Sequence, residues 1–179
     1  MVATVNIREH NGSSTGPTQT AKTTAAQVRF KNADNATVDS NNRLIIPTAN
    51  TEYSYTKYIK LQASVAPDVD IDNLQAYSDG ANGFGTGVKV WYWIKSVYVT
   101  PSVPTETNDP PHYPGSTEDG VDYFALTSGS PGDMDAITTG PFTGTGDMGD
   151  FLVLCMEVET SASQGSLTAE SLTFRYDET

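Results

Sequence analysis

The stretch Val88-Lys-Val-Trp-Tyr-Trp-Ile-Lys-Ser-Val-Tyr-Val99 decides the fold class. Val88, Val90, Tyr92 and Ile94 fall on one side of an extended chain, and Lys89, Trp91, Trp93 and Lys95 on the other. Successive Cβ atoms of a strand point to opposite faces, so this alternation in β-branched and aromatic residues reads as a strand. Tyr53–Val65 repeats the pattern: Tyr53, Tyr55, Lys57, Ile59, Leu61, Ala63 and Val65 share a mostly apolar face, and Ser54, Thr56, Tyr58, Lys60, Gln62 and Ser64 a mostly polar one.

Working outward, the same reasoning predicts strands at Ala3–Glu9, Gln27–Lys31, Leu44–Ile46, Asn73–Tyr77, Tyr123–Thr127, Phe151–Glu159 and Ser171–Tyr176. No segment carries a capped 3.6-residue periodicity, so no helix is expected. The predicted fold is all-β: one antiparallel β-sandwich or jelly-roll-like domain over residues 1–179, with long Gly/Pro/Thr-rich loops. Residues 10–26 read as a flexible loop, and residues 101–120, with five prolines, and 129–149 as long surface loops. At 179 residues the chain is long enough to bury a core without a metal or disulfide.

Composition narrows the function. The chain carries 22 acidic and 10 basic residues, for a net charge of −12. Residues 96–179 hold fourteen acids and one base, Arg175, whereas residues 1–95 are nearly neutral. Such a half repels phosphate, so direct nucleic-acid binding is not expected. The longest apolar run, Phe151–Met156, is six residues, far below a membrane helix, and the first ten residues hold no apolar leader core. The one cysteine, Cys155, lies inside that run and reads as a core residue.

Four features are candidate sites. Asp68-Val-Asp-Ile-Asp72 starts like a calcium loop. The sixth and twelfth positions, Asn73 and Asp79, depart from the Gly and Glu that such loops use, so Asp68, Asp70 and Asp72 are expected to be solvated acids. Gly83-Phe-Gly-Thr-Gly87 lacks the lysine and helix of a phosphate loop and reads as an inter-strand connection. His10 and His112 have no nucleophile or zinc spacing nearby; they are expected to be exposed, and neither an enzyme nor a cofactor is predicted. The Lys89, Trp91, Trp93, Lys95 face admits three readings: burial within the chain, an oligomer or partner interface, or a sugar-stacking patch.

Several segments resemble small β-rich structural proteins encoded in the virion gene clusters of tailed bacteriophages. They are Thr4–Glu9, Val28–Asp34, Leu74–Gly87 with its Ser-Asp-Gly-Ala-Asn-Gly-Phe-Gly-Thr-Gly loop, Pro141–Leu154, and Leu172–Glu178. The resemblance implies a virion component, with no catalytic motif in it; the charge and run lengths above exclude membrane and direct nucleic-acid contact from the expectation, and assembly in the bacterial cytoplasm is expected. Capsid decoration on the head is the expectation; a neck or tail component, or a carbohydrate-binding module on a fibre, is the alternative. Decoration units are often oligomeric, so a homo-oligomer that also contacts other virion proteins is expected. Arg8, Arg29, Lys31, Lys57 and Lys60, in the near-neutral half, are the expected docking cations.

Overall fold

The computed structural model describes residues 2–23, 27–104, 109–164 and 168–179. Its strands are β1 (Thr4–Asn11), β2 (Thr18–Ala21), β3 (Thr51–Tyr53), β4 (Lys57–Val65), β5 (Ile71–Tyr77), β6 (Val88–Lys95), β7 (Val121–Asp122), β8 (Gly132–Asp133), β9 (Gly146–Glu159) and β10 (Thr173–Glu178). Seven strands form a large antiparallel sheet in the order β2-β1-β4-β9-β6-β7, with β3 paired to the far end of β9. Three form a small antiparallel sheet, β10-β5-β8. The two sheets pack in a sandwich-like arrangement, and the fold is all-β as the alternation predicts.

The deciding segment sits where its pattern puts it. β6 pairs with β9 from Val88↔Val158 to Lys95↔Phe151, beside the centre of the large sheet. Its Val88 and Val90 join Ile59, Leu61, Leu152, Leu154 and Met156 on the inner face, against Ile71, Leu74 and Ala76 of the small sheet. Tyr92 and Ile94 reach only the margin of this core and stay half-buried. β9 is buried from Met148 to Val158 because both faces of the large sheet are covered. A strand covered on both faces reads as a continuous apolar run, which is the pattern of Phe151–Met156.

Gly149 lets β9 pass close to a neighbouring chain segment. It has φ +64, and a Cβ there would stand 2.3 Å from the Met134 carbonyl oxygen, which accepts the Asp150 N–H at 2.5 Å. The β4–β9 register shifts just beyond, between Ile59 and Leu61, as a β-bulge does.

The structure corrects several boundaries. Tyr53–Val65 is two strands, because the backbone stays with β9 through Ser54, whose N–H donates to Met156 O at 2.9 Å, and then turns to other partners: Tyr55 N–H donates to Lys31 O and Thr56 N–H to Ser102 O. Gln27–Lys31 and Leu44–Ile46 pair with no sheet; their Val28, Phe30, Leu44 and Ile46 cover the core as irregular segments. Tyr123–Ala125 is a 3-10 turn, capped by the Asp122 carboxylate, which accepts the Phe124 N–H. The loop expected at 10–26 contains the end of β1 and all of β2, and that at 129–149 contains β8 and the start of β9. Residues 24–26 and 105–108 of the expected loops lie outside the described residues.

Candidate interaction surface and its cover

The outer face of the large sheet carries a second apolar cluster: Tyr53, Tyr58, Trp91, Trp93, Tyr113, Phe151, Val153 and Cys155. The chain covers it with its own proline-rich excursion. Tyr113 stacks edge-on against Trp93, and its hydroxyl lies 2.6 Å from that of Tyr58. Trp93 Nε1 donates to Glu118 O at 3.2 Å, and Gly120 sits directly on the Trp91 and Trp93 side chains. Trp93 is 2% exposed and Trp91 9%. Of the three readings, burial within the chain is the one seen: as an open aromatic patch, the Trp91/Trp93 interface does not exist in this conformation.

The lysines that flank the tryptophans fasten the cover. Lys95 pairs with Glu118 and lies 4.5 Å above the Tyr113 ring. Lys89 stands among three carboxylates: Asp109 at 2.5 Å, Glu159 at 2.9 Å and Glu157 at 3.9 Å. Burial alone would pull the Lys89 ammonium down, and these carboxylates outweigh it, holding it above the usual lysine range. Glu157 is buried and accepts from Trp91 Nε1 at 2.5 Å; burial raises its carboxyl despite that bond and the nearby lysine. The three carboxylates bring ligand atoms within 4.8 Å of one another, but the cation they enclose is Lys89.

The expected docking cations fare differently. Arg29 is exposed, and Arg8 is half-buried with Nε donating to Gln62 Oε1 at 3.1 Å. Lys31, Lys57 and Lys60 are buried, which withdraws them from any docking face. Lys60 packs its ammonium 4.3 Å over the Phe151 ring. Lys31 Nζ donates to Asn35 Oδ1 and Thr37 O. Lys57 donates to the carbonyls of Ala33 and Asn35 and stands 3.5 Å from Glu9, which has Lys22 at 3.0 Å on its other oxygen. These ammonium groups meet Glu9, which is fully buried, as close ion pairs rather than aligned hydrogen bonds. Glu9 was missed in the sequence; the available sign was Lys57, a charge on the apolar face of its strand.

Comparison with protein-family models, curated proteins and solved structures finds no match.

The remaining candidates do not converge. Asp68 and Asp72 are exposed. Asp70 instead holds Thr179, by reciprocal backbone bonds of 3.2 and 3.0 Å and a 2.7 Å bond from the threonine hydroxyl to its carboxylate. Asp72 lies opposite Asp177 in the β5–β10 pair. The Gly-rich connection joins β5 to β6, as expected. Cys155 is fully buried, its thiol 3.3 Å from Ser54 O and pushed up to about 12 by burial, which leaves no thiolate at neutral pH. His112 is half-buried and 3.1 Å from Asp119. His10 corrects its reading: it lies within β1 and is 2% exposed. On the inner face, a groove of about 470 Å³ runs over Val90, Leu154 and Met156, between Val28–Phe30 and Thr168–Leu172.

Proposed function

We propose that the chain is a non-enzymatic structural accessory of a tailed-phage virion, seated on the head as a decoration unit. The observation that carries this reading is where the virion-like segments fall. Thr4–Glu9 and the parts Leu74–Tyr77, Phe151–Leu154 and Thr173–Glu178 of three others lie in β1, β5, β9 and β10, and Val28–Asp34 packs Val28 and Phe30 on the core outside any sheet, so the segments build framework rather than a reactive constellation. The polar chemistry supports it too. Lys89 occupies the carboxylate cluster, the thiol is sealed, and Lys57 and Lys95 are consumed in fastening loops to the sheet. A fold whose charges fasten its own covers suits a unit that adds to an existing shell, alone or as a homo-oligomer.

The sugar-binding alternative needed Trp91 and Trp93 in an open groove, and both are covered. The test is immunogold labelling of purified virions with an antibody to this chain. Labelling over the head is expected. Label confined to the tail or neck overturns the head assignment and keeps the structural one; absence from purified particles overturns both.

A further inference from the structure

His10 lies near the end of β1, opposite Tyr58 of β4 and Gln19 of β2. Its ring is enclosed by aromatic side chains: Phe151 of β9 at 5.0 Å, edge to face, and Tyr98 of the segment after β6 at 5.8 Å. Neither ring nitrogen has a hydrogen-bond partner, although the residue is 2% exposed. A buried polar group without a partner is uncommon in folded proteins and asks for an explanation.

The charges facing this ring come from three strands. Asp147 of β9 stands 3.7 Å from Nε2, too long for a hydrogen bond, and its other oxygen already accepts from Gln62. Lys60 of β4 is buried, with its ammonium over the same Phe151 ring. Arg8 is two residues back on β1 itself. Tyr58 and Tyr98 are neutral phenols that burial keeps above the ordinary tyrosine range. The site holds a neutral imidazole well. A protonated ring meets desolvation and two like charges, against one carboxylate.

The same ring joins three parts of the fold. β2 is the edge strand and pairs only with β1. The loop after β1 is tied to the segment after β6 by Tyr98 Oη donating to Gly12 O at 2.8 Å and Ser14 N–H donating to Thr100 Oγ1 at 3.0 Å.

We propose that His10 is an acid-sensitive latch, whose protonation loosens the β1–β2 hairpin at the edge of the large sheet and the Tyr98 segment on its outer face. This does not rest on the virion reading. Burial, outweighing Asp147, holds the imidazole below its ordinary value, with Lys60 and Arg8 acting in the same direction. Above the unfolded value near 6.5 both states are neutral; as pH falls below it the unfolded chain binds the proton more readily, and the fold is weakened. The raised carboxyls of Asp34, Asp135, Glu157 and Glu170 act in the opposite sense, and the lowered ones of Asp39 and Glu159 weaken the fold only at more acid pH, so the loss between about pH 7 and 5 that His10→Phe removes is the signature of His10.

The test combines an NMR titration of both histidines in the wild-type chain with thermal melts from about pH 8 to 5 for wild type, His10→Phe and the control His112→Gln. His10 is expected to titrate below the ordinary histidine value. Each tenfold gap in proton affinity between unfolded and folded chain lowers the acid Tm by roughly 3–5 °C at this length. That loss should disappear in His10→Phe and persist in His112→Gln, with the protection factors of β1 and β2 amides, corrected for intrinsic exchange, falling as pH falls. A His10 titration at or above the ordinary histidine value overturns the proposal, even if His10→Phe does not fold. So does an unchanged acid loss in His10→Phe.

Discussion

Replacing Glu9 with Leu should be among the most damaging single changes in this chain. The carboxylate is fully buried and faces two ammonium groups, Lys22 at 3.0 Å and Lys57 at 3.5 Å, of which Lys57 is also fully buried. Removing one partner of a buried pair leaves the other as an uncompensated charge, at about 3–5 kcal/mol. For a chain of this length that is a Tm loss of roughly 6–20 °C. Lys57→Met should cost less, about 1–3 kcal/mol, because Glu9 keeps Lys22 and the thioether fills the stem, leaving mainly the lost bonds to the Ala33 and Asn35 carbonyls. The double variant Glu9→Leu/Lys57→Met removes the fully buried stranded charge along with its partner and leaves Lys22, which still donates to Gln27 O. Its cost should fall short of the sum of the singles by about 1–3 kcal/mol. Urea denaturation of the four proteins at pH 7, with m values compared, is the assay. Additivity within about 0.5 kcal/mol would mean that the two side chains do not act as a pair. The pH dependence is a second check. Burial, outweighing Glu9, lowers the Lys57 ammonium, so its desolvation penalty is complete below the folded-state value and is relieved as pH rises toward the unfolded value near 10.4. The Glu9→Leu loss should therefore shrink between about pH 7 and 10.

The native protein should show blue-shifted tryptophan emission with weak acrylamide quenching, since Trp91 and Trp93 lie under Tyr113, Glu118 and Gly120; strong quenching would show that the cover does not stay closed. Asp135→Asn should raise Tm at pH 7. Burial and the neighbouring Asp133 push the Asp135 carboxyl up to about 6, so the ionised form is penalised in the fold above that value. The gain should fade as pH drops through about 6 toward 4, and a gain independent of pH would contradict this origin.

What was legible in the sequence was whatever alternation encodes. Period-2 patterning placed β6 and most of β4, and the six-residue apolar run placed the doubly covered strand β9. The misses share a cause. Val28, Phe30, Leu44 and Ile46 are apolar because they cover the core, but apolar alternation does not reveal whether the backbone finds a sheet partner; here Lys31 O accepts instead from Tyr55 N–H outside any ladder. β2, Thr18-Gln-Thr-Ala21, has the opposite problem: as an exposed edge strand it buries little, so its polar residues read as loop. The fate of Trp91 and Trp93 was undecidable locally, because their cover comes from residues some twenty positions later. His10 was misread because a histidine buries as readily as it exposes, and only Phe151 and Tyr98, distant in sequence, decide which.

The distribution of charge changes most between sequence and fold. By composition the first half is nearly neutral and looked like a docking side held by cations. In the fold Lys22, Lys31, Lys57 and Lys60 are buried, and Lys89 and Lys95 are held by Asp109, Glu157, Glu159 and Glu118. All six lysines are thus turned inward or committed, and Arg29, Arg43 and Arg175 are the exposed cations among the described residues. The surface is more acidic than the near-neutral composition of the first half suggests, since Asp68, Asp72, Asp79, Asp119, Asp133 and Asp147 remain exposed. Long-range attraction to an anionic surface is therefore unavailable on either side of the molecule. In the virion reading, attachment then has to come from basic groups on the partner or from short-range apolar contact, for which the exposed side chains on offer include Val2, Val38, Ile45, Val69, Val97, Val99, Val121 and Ile137.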